Sequence, residues 1–426
     1  MRVARPFVWL SLGLALGACT EDVTAPGRCP DFCPAGSLAV VDTVLGTIIA
    51  RDSSYRGFVL AHEASVLLAA TLPGVVDSRP VFLVPPIQSR LRLATGSSTD
   101  TTTGPVKGVD SVQLRLIVTR RDTAAHTLTL KLYRLPLTID SATSFDDLKG
   151  SFTDSVRTIE IDSLLARPGK KDPVTGDSVV VDTVKRQLTL ILALDSAQAP
   201  YVPADSGKLA FGLRVAADSL ASIALGAREA GLGPEITWFV KVDSLGAVVH
   251  RTQVRLATFD SFVFDPPAPA LDQNLAVGGM PSARSILRVT LPRSIRDSTQ
   301  ILRATLVVVP AVAARGVPAD SFTLEAHAVD ADLGAKSPLA APRFTGDTTR
   351  MGTTRVRIGS LDSVRVELTT LLRIWSVDTA AATAIILRQV PEGASFAEIR
   401  FHPSGDAAFR PALHLTYLPR FRFGVP

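Results

Sequence analysis

From about Val40 onward, apolar and polar residues alternate with a period of two, and this pattern constrains the fold more than any other feature of the sequence. In residues 112–118, valine and leucine occupy every second position, with Gln113 and Arg115 between them. Residues 128–132, 188–194 and 364–368 repeat the pattern. Because successive side chains of a strand point to opposite faces, such runs predict antiparallel sheets with one face buried and one face in water.

Asp-Ser dipeptides stand between these runs and predict the turns that connect the strands. They begin at Asp110, Asp154, Asp177, Asp218, Asp320 and Asp362. Both side chains bond nearby backbone N–H groups, which favours turns. Calcium binding by some of these carboxylates is the alternative, but it needs several converging oxygen ligands, and residues 330–334 match only a fragment of a calcium loop.

The body of the chain repeats. Leu213, in the segment 209–215, matches Leu387 in the segment 384–390, and residues 79–85 resemble residues 284–289. Two tandem, related β-domains account for these matches. The predicted fold is therefore all-β, with two tandem antiparallel β-sandwich (jelly-roll-like) domains. The predicted limits are a leader at 1–18, a tether at 19–39, a first domain at 40–245, a linker at 246–258, a second domain at 259–419 that folds alone, and a tail at 420–426.

One short helix is predicted in the second domain. Leu368, Leu371, Leu372 and Trp375 have the i, i+3, i+4, i+7 spacing of a single helix face. A helix that covers one end of a sandwich would bury this face, so Trp375 is interpreted as a core residue and not as a ligand platform.

The N-terminus has the pattern of an export signal. Arg2 and Arg5 precede a short apolar run from Phe7 to Leu16, which is too short to span a bilayer permanently. The segment Leu16-Gly17-Ala18-Cys19 resembles the lipobox of bacterial lipoproteins. The resemblance implies that Cys19 carries acyl chains such as palmitate, becomes the mature N-terminus and anchors the protein in the envelope, with the outer membrane favoured. An ordinary cleaved signal with an incidental cysteine is the alternative.

The chain contains three cysteines, and the two besides Cys19 are Cys29 and Cys33. Exported proteins meet an oxidising compartment, so a disulfide between these two residues is predicted. A metal site would need two further ligands nearby, and the surrounding sequence offers none.

The second domain resembles the DNRLRE-type β-sandwich domains of secreted and surface bacterial proteins, over about residues 260–419. The matching segments are 274–279, 284–289, 301–306, 368–375 and 410–417. The resemblance implies a jelly-roll module of the kind appended to larger exported proteins, some of them akin to carbohydrate-binding modules. It implies no catalytic residues.

No motif in the sequence predicts catalysis, a metal site or a cofactor. The six histidines are far apart in sequence, and none belongs to an H-x-H or H-E-x-x-H pair. Nucleotide-binding glycine loops and the G-x-S-x-G elbow are missing from the sequence as well. By elimination, the candidates for paired catalytic carboxylates are Glu229, Glu235, Glu392 and Glu398. The chain is predicted not to be an enzyme.

The charge pattern argues against a nucleic-acid partner. The net charge is +5, to which Arg2 and Arg5 of the leader contribute. The remaining basic residues alternate with aspartates, whereas phosphate binding requires a basic patch or stripe.

Two functions are left open. The first is a non-catalytic, lipid-anchored envelope protein that acts as a structural or partner-binding scaffold. The second is a carbohydrate-binding surface lipoprotein. Sugar binding favours exposed aromatic platforms and planar amides, but Asn274 is the only asparagine. The candidate platforms are Tyr55, Tyr133 and Tyr201, and no ligand-binding residue is assigned.

Overall fold

The computed structural model describes residues 40–73, 76–93, 103–121, 125–200, 207–218, 220–244, 246–265, 272–297, 299–317, 321–329, 348–378 and 381–419. The leader, the tether, the tail and the predictions for Cys19, Cys29 and Cys33 lie outside these ranges, as does the calcium-loop fragment at 330–334.

The described chain is mostly β-structure arranged in antiparallel sheets, which confirms the all-β, sandwich-type prediction. The strands are β1 (Val41–Leu45), β2 (Ile49–Arg56), β3 (Val66–Leu72), β4 (Val76–Val84), β5 (Arg90–Arg92), β6 (Thr103–Arg121), β7 (Thr129–Arg134), β8 (Ser155–Glu160), β9 (Ser178–Asp182), β10 (Gln187–Leu194), β11 (Leu209–Ala216), β12 (Ala221–Gly226), β13 (Glu235–Ser244), β14 (Ala247–Leu256), β15 (Phe259–Asp265), β16 (Leu275–Gly278), β17 (Ala283–Val289), β18 (Thr299–Val308), β19 (Pro310–Arg315), β20 (Ser321–Ala328), β21 (Met351–Arg357), β22 (Val364–Glu367), β23 (Ala384–Val390), β24 (Glu398–Phe401) and β25 (Ala412–Pro419). The helices are α1 (Phe145–Leu148), α2 (Ile161–Leu165), α3 (Arg293–Arg296) and α4 (Thr369–Val377).

Strands β3 to β15 form one sheet system, which we call the first sandwich. Its core contains Trp238, Phe82, Phe211 and the inward leucines of β6 and β10. The alternation at 112–118 and 188–194 places these leucines opposite each other, since Leu114 pairs with Leu192 and Leu116 with Leu190. Period-two burial in the sequence therefore becomes a continuous apolar layer.

The second sandwich consists of two facing sheets. A four-stranded sheet has the order β1-β25-β18-β22, and the other has the order β19-β24-β16-β17-β23-β20-β21, with β2 paired to β17. Side chains from both sheets, among them Leu306, Val366 and Leu415 from the first and Leu387 and Phe401 from the second, form one core.

The predicted domain limits differ from these sheets at both ends of the first domain. β1 and β2, predicted to open the first domain, pair with β25 and β17 of the second sandwich. Residues 246–258, predicted as a linker, include β14, which pairs with β13, and β15 pairs with β4. The first sandwich is therefore inserted between β2 and β16. The alternation of one strand reveals its buried face but not its partner, so pairings between distant residues could not be predicted from it.

The two sandwiches repeat the same strand connections. β8-β7-β11-β4 in the first corresponds to β21-β20-β23-β17 in the second, and β14-β13-β6-β10 corresponds to β1-β25-β18-β22. Leu213 and Leu387, matched in the sequence, lie on the corresponding strands β11 and β23. Strands β14 and β15, which follow β13, thus have the role that β1 and β2 play at the start of the chain.

Among the predicted turns that fall within the described residues, all but one lie between strands, and Asp320 lies outside those residues. Asp154, Asp177 and Asp362 immediately precede or lie close to the start of β8, β9 and β22. Asp110 instead lies inside the long strand β6, where its carboxylate accepts bonds from Lys241 and contacts His250 on neighbouring strands. Side chains on neighbouring strands therefore pair with the Asp110 carboxylate, in place of the backbone N–H groups that a turn would offer.

Candidate functional site

A polar groove lies on the outer face of the four-stranded sheet, and we call it the β1 groove. Its volume is about 450 Å³, within the range of small-molecule sites. Its lining residues are Asp42, Thr43, Val44, Arg303, Thr305, Arg365, Glu367, His414, Leu415 and Thr416.

Strand register brings these side chains together in rows across the sheet. One row contains Val44, His414, Thr305 and Glu367, each paired with the next. A neighbouring row contains Asp42, Thr416 and Arg303. Because period two places every second residue on one face, the inward partners of these rows, such as Leu413 and Leu415, pack in the core while the polar groups face the groove. The alternation of His414 with Leu413 and Leu415 predicts that the histidine faces outward, and the structure places it, half-buried, in this row.

Glu367 is the most heavily engaged group of the groove. Its Oε2 accepts hydrogen bonds from Arg303 Nε and Thr305 Oγ1, both at 3.2 Å, and its Oε1 accepts from the Thr369 hydroxyl. Partial burial opposes ionisation, but the bonds from Thr369, Arg303 and Thr305 outweigh it and hold the pKa of this carboxyl below its usual value. Glu367 therefore acts as a fixed anion that positions Arg303.

Three other polar groups of the groove retain unused bonding capacity. Arg365 is exposed and His414 half-buried, and neither side chain has a hydrogen-bond or ion-pair partner among the described residues. The exposed carboxylate of Asp42 accepts a hydrogen bond of 2.5 Å from the Thr416 hydroxyl through Oδ1. Its Oδ2 has no hydrogen-bond partner among the described residues. These groups are available to a ligand.

The first sandwich provides an internal comparison for the groove. Its corresponding row is Val254, Thr237, Gln113 and Ala193. None of these four residues is charged, so the row has no counterpart of Glu367, although the strands are connected in the same way. The same outer face carries charges elsewhere, among them the Arg115–Glu235 pair.

A second exposed feature lies at the end of the first sandwich, and we call it the β14 edge. β14 pairs with β13, and no other strand in the described ranges pairs with it. Val248, Val254 and Leu256 on its outer face are all at least half exposed. A free strand edge flanked by apolar side chains can accept a further strand.

The opposite face of β14 is fixed by segment 86–93. Arg251 Nη2 donates to the Leu93 carbonyl at 2.7 Å, and Arg255 Nε donates to the Pro86 carbonyl at 3.2 Å. The Gln253 carboxamide bonds to Gln88 through both its oxygen and its nitrogen. These bonds hold the β13–β14 hairpin in place.

Each of the four glutamates singled out in the sequence has an arginine partner. Glu235 contacts Arg115 at 3.3 Å, Glu229 contacts Arg228 at 3.4 Å, and Glu398 contacts Arg56 and Arg400. Glu392 receives two bonds of 2.6 Å from Arg284, and both side chains are buried. All four carboxylates are therefore engaged in ion pairs.

The histidines are equally dispersed. His250 contacts Asp110 and His402 contacts Asp406, both at 2.7 Å, and His327 is buried. Within the described ranges, no group of three or more potential metal ligands converges.

The candidate aromatic platforms lie in different environments. Trp238 and Trp375 are 1% and 2% exposed and belong to the two cores. Tyr133 is also buried, Tyr55 is half-buried, and Tyr201 lies outside the described residues. Among the large hydrophobic residues exposed in the described structure, Phe409 is the one aromatic. The described sheet faces therefore show no cluster of exposed aromatic side chains.

Comparison with known protein families found no match, and no curated protein is similar to the sequence. Across the part of the chain that the structure describes, no helix has the length and apolar character to cross a membrane.

Proposed function

We propose that this chain is a non-catalytic, lipid-anchored protein of the bacterial cell envelope that holds a protein partner through the β14 edge. The observation that carries the proposal is the free edge of β14 with Val248, Val254 and Leu256 exposed beside it. An extended segment of a partner would gain backbone hydrogen bonds from the edge and apolar contacts from these side chains. The fixed hairpin beneath would reduce the entropy lost on binding.

The anchor in this proposal is acylated Cys19. The resemblance to DNRLRE-type domains is part of the same proposal, because such modules belong to exported proteins. A tether of about 20 residues would join Cys19 to β1, so the second sandwich would be nearest the membrane. Residues 19–39 are rich in proline and glycine and would span roughly 25 Å as a flexible chain.

Cys19→Ala tests the anchor. We expect the variant to leave the membrane fraction and to remain folded in the soluble fraction, because acyl chains supply the affinity for the bilayer. Fractionation followed by a thermal melt measures both. A variant that stays in the membrane fraction would contradict lipid anchoring.

Val254→Lys tests the partner surface. A lysine on a strand edge opposes strand addition, so cross-linking in cell envelopes should lose a discrete partner adduct in this variant. Val174→Lys is the matched control, since Val174 is 91% exposed and lies on a turn away from β14. Equal adducts in wild type and both variants would refute partner binding at this edge.

Carbohydrate binding at the β1 groove is the second candidate function. It is favoured by the groove's volume, by its threonine hydroxyls, and by the unused bonding capacity of Asp42, Arg365 and His414. Sugars bind proteins through many such hydrogen bonds. The lack of an aromatic platform among the groove residues distinguishes this site from stacking-based sugar sites.

A further inference from the structure

We propose that the β1 groove binds an acidic saccharide, a sugar that carries a carboxylate beside its hydroxyl groups. This inference rests on the second candidate function and specifies its ligand class. Two observations support it: some polar groups of the groove already bond to other groups of the protein, and others have no partner among the described residues.

Two side chains that can donate to an anion, one of them a guanidinium, have unused bonding capacity. Arg303 is paired with Glu367, but Arg365 and His414 have no partner in the described structure. A guanidinium presents a planar pair of N–H donors that matches a carboxylate in two parallel hydrogen bonds. His414 adds a second bonding group from β25, two strands away from Arg365 on β22. The strand between them is β18, and the register places His414 two residues along from the position level with Arg365. Their backbones are therefore separated by ~12 Å, which leaves room for a sugar ring between the two side chains.

The end of the groove at β1, across the sheet from Arg365 on β22, suits the hydroxyl groups of a sugar. Asp42 Oδ2 can accept a hydrogen bond from a sugar hydroxyl, and the Thr416 hydroxyl is already committed to Asp42 Oδ1. Thr305 and Thr43 line the same space. One end of the groove therefore favours an anion and the other end favours neutral hydroxyls, a combination that a uronic acid presents on one ring.

Other ligand classes match these groups less well. A polyphosphate chain presents anionic oxygens along its whole length and has no hydroxyl group that could donate to Asp42. An extended peptide needs backbone partners or apolar pockets, but a sheet face presents side chains. Val44 is the one exposed aliphatic residue of this groove, since Leu415 is buried in the core. A neutral sugar would leave Arg365 without a counter-charge.

The test titrates the full chain in detergent with trigalacturonate by calorimetry, and uses its fully methyl-esterified, uncharged form as the matched ligand. Variants Arg365→Ala and His414→Ala remove the proposed anion contacts. Arg357→Ala is the matched control, because Arg357 is an exposed arginine on β21 outside the groove. Thermal melts check that each variant folds, and none is expected to fail, since Arg365 and His414 lack described partners.

We expect trigalacturonate to bind at least tenfold more tightly than its ester. Arg365→Ala should weaken binding tenfold or more, His414→Ala should weaken it severalfold, and Arg357→Ala should leave it unchanged. Equal binding of acid and ester would overturn the acidic preference but leave sugar binding in place. If neither ligand binds, both the acidic preference and sugar binding at the groove are contradicted. Equal loss in Arg357→Ala, or full competition by equimolar inorganic phosphate, would show a diffuse or simple anion effect and contradict the proposal.

Discussion

Asp260 shows how a single buried residue sets a pH dependence in the first sandwich. It lies on β15 and is 3% exposed, and its Oδ2 accepts a hydrogen bond of 2.8 Å from the backbone N–H of Arg228. Burial raises the pKa of this carboxyl to about 6, and the nearby Glu229 carboxylate adds to the shift, while the bond from Arg228 opposes it. The turn at 227–234 thus packs against a carboxyl that ionises with difficulty.

The folded state therefore retains the Asp260 proton at pH values where the unfolded chain has lost it. As pH rises from about 4 to about 6, this group makes the free energy of unfolding fall, and above pH 6 the penalty is constant. Asp260→Asn removes the penalty, so the variant's stability relative to wild type should rise across this window by up to roughly 3 kcal/mol. Urea unfolding between pH 4 and pH 7 measures the difference.

Asp243→Asn is the control for that measurement. The N–H of Gly246 lowers the pKa of the Asp243 carboxyl. Above about pH 5 both the folded and the unfolded chain have released this proton, so the relative stability should stay flat from pH 5 to pH 7. A flat difference for Asp260→Asn as well would contradict the raised pKa.

At the residue scale, the sequence predicted the direction in which side chains point better than the contacts they make. His414 faces outward as its strand pattern indicated, but its position beside Thr305 and Val44 depends on strands far away in sequence. Glu392 was a candidate acid by elimination, and the structure buries it against Arg284. Such pairings arise from register between distant strands, which no local pattern encodes.

At the scale of elements, local patterns predicted the alternating strands and the longest helix, but not the short helices. The helix predicted from Leu368, Leu371, Leu372 and Trp375 is α4, and all four side chains are buried in the second core. A single turn, α3, joins it in the second sandwich and had no periodic signal, because four residues are too few to show a helical period.

Trp375→Ala tests what α4 contributes. The side chain is 2% exposed, and removing a buried aromatic side chain of this size costs about 3–5 kcal/mol. Thr370→Ala, an exposed position on the same helix, should change stability by no more than about 0.5 kcal/mol. Chemical unfolding of both variants measures the comparison, and similar losses would indicate that α4 does not pack on the core as described.

At the scale of the whole molecule, the first and last strands of the described chain belong to the same sandwich. The second sandwich begins with β1 and β2 and ends with β25, and the complete first sandwich lies between them. Phe396 of the second sandwich also packs against Phe262 and Phe264 of β15, with ring centroids 6.1 Å apart in both cases. The sequence repeat predicts two related copies, with the first two strands in the first domain, whereas β1 and β2 pair with β25 and β17. A repeat shows which segments are alike and not which segments pair.

The pairing of β1 and β2 with the second sandwich changes the expectation that residues 259–419 fold alone. That fragment lacks β1 and β2, so one edge of β25 and one edge of β17 lose their partners. It also retains β15, whose partner β4 is missing. We expect it to show no cooperative melt. Residues 61–265 contain every strand of the first sandwich and should melt cooperatively by themselves.

A linked fragment restores the missing strands. Residues 40–60 joined by ten glycine and serine residues to residues 272–419 supply β1 and β2 to the second sandwich. The end of β2 lies beside the start of β17, since the N–H of Gly57 donates to the Ser282 carbonyl at 3.0 Å. The linker must then reach residue 272, and ten residues span about 17 Å as a flexible chain and about 33 Å when extended. Circular dichroism melts of the three fragments decide the matter: cooperative unfolding of 259–419 at the same midpoint as the linked fragment would show that β1 and β2 are dispensable. Cooperative melting of the linked fragment, with no cooperative melt of residues 259–419, would show that the N-terminal strands complete the second sandwich.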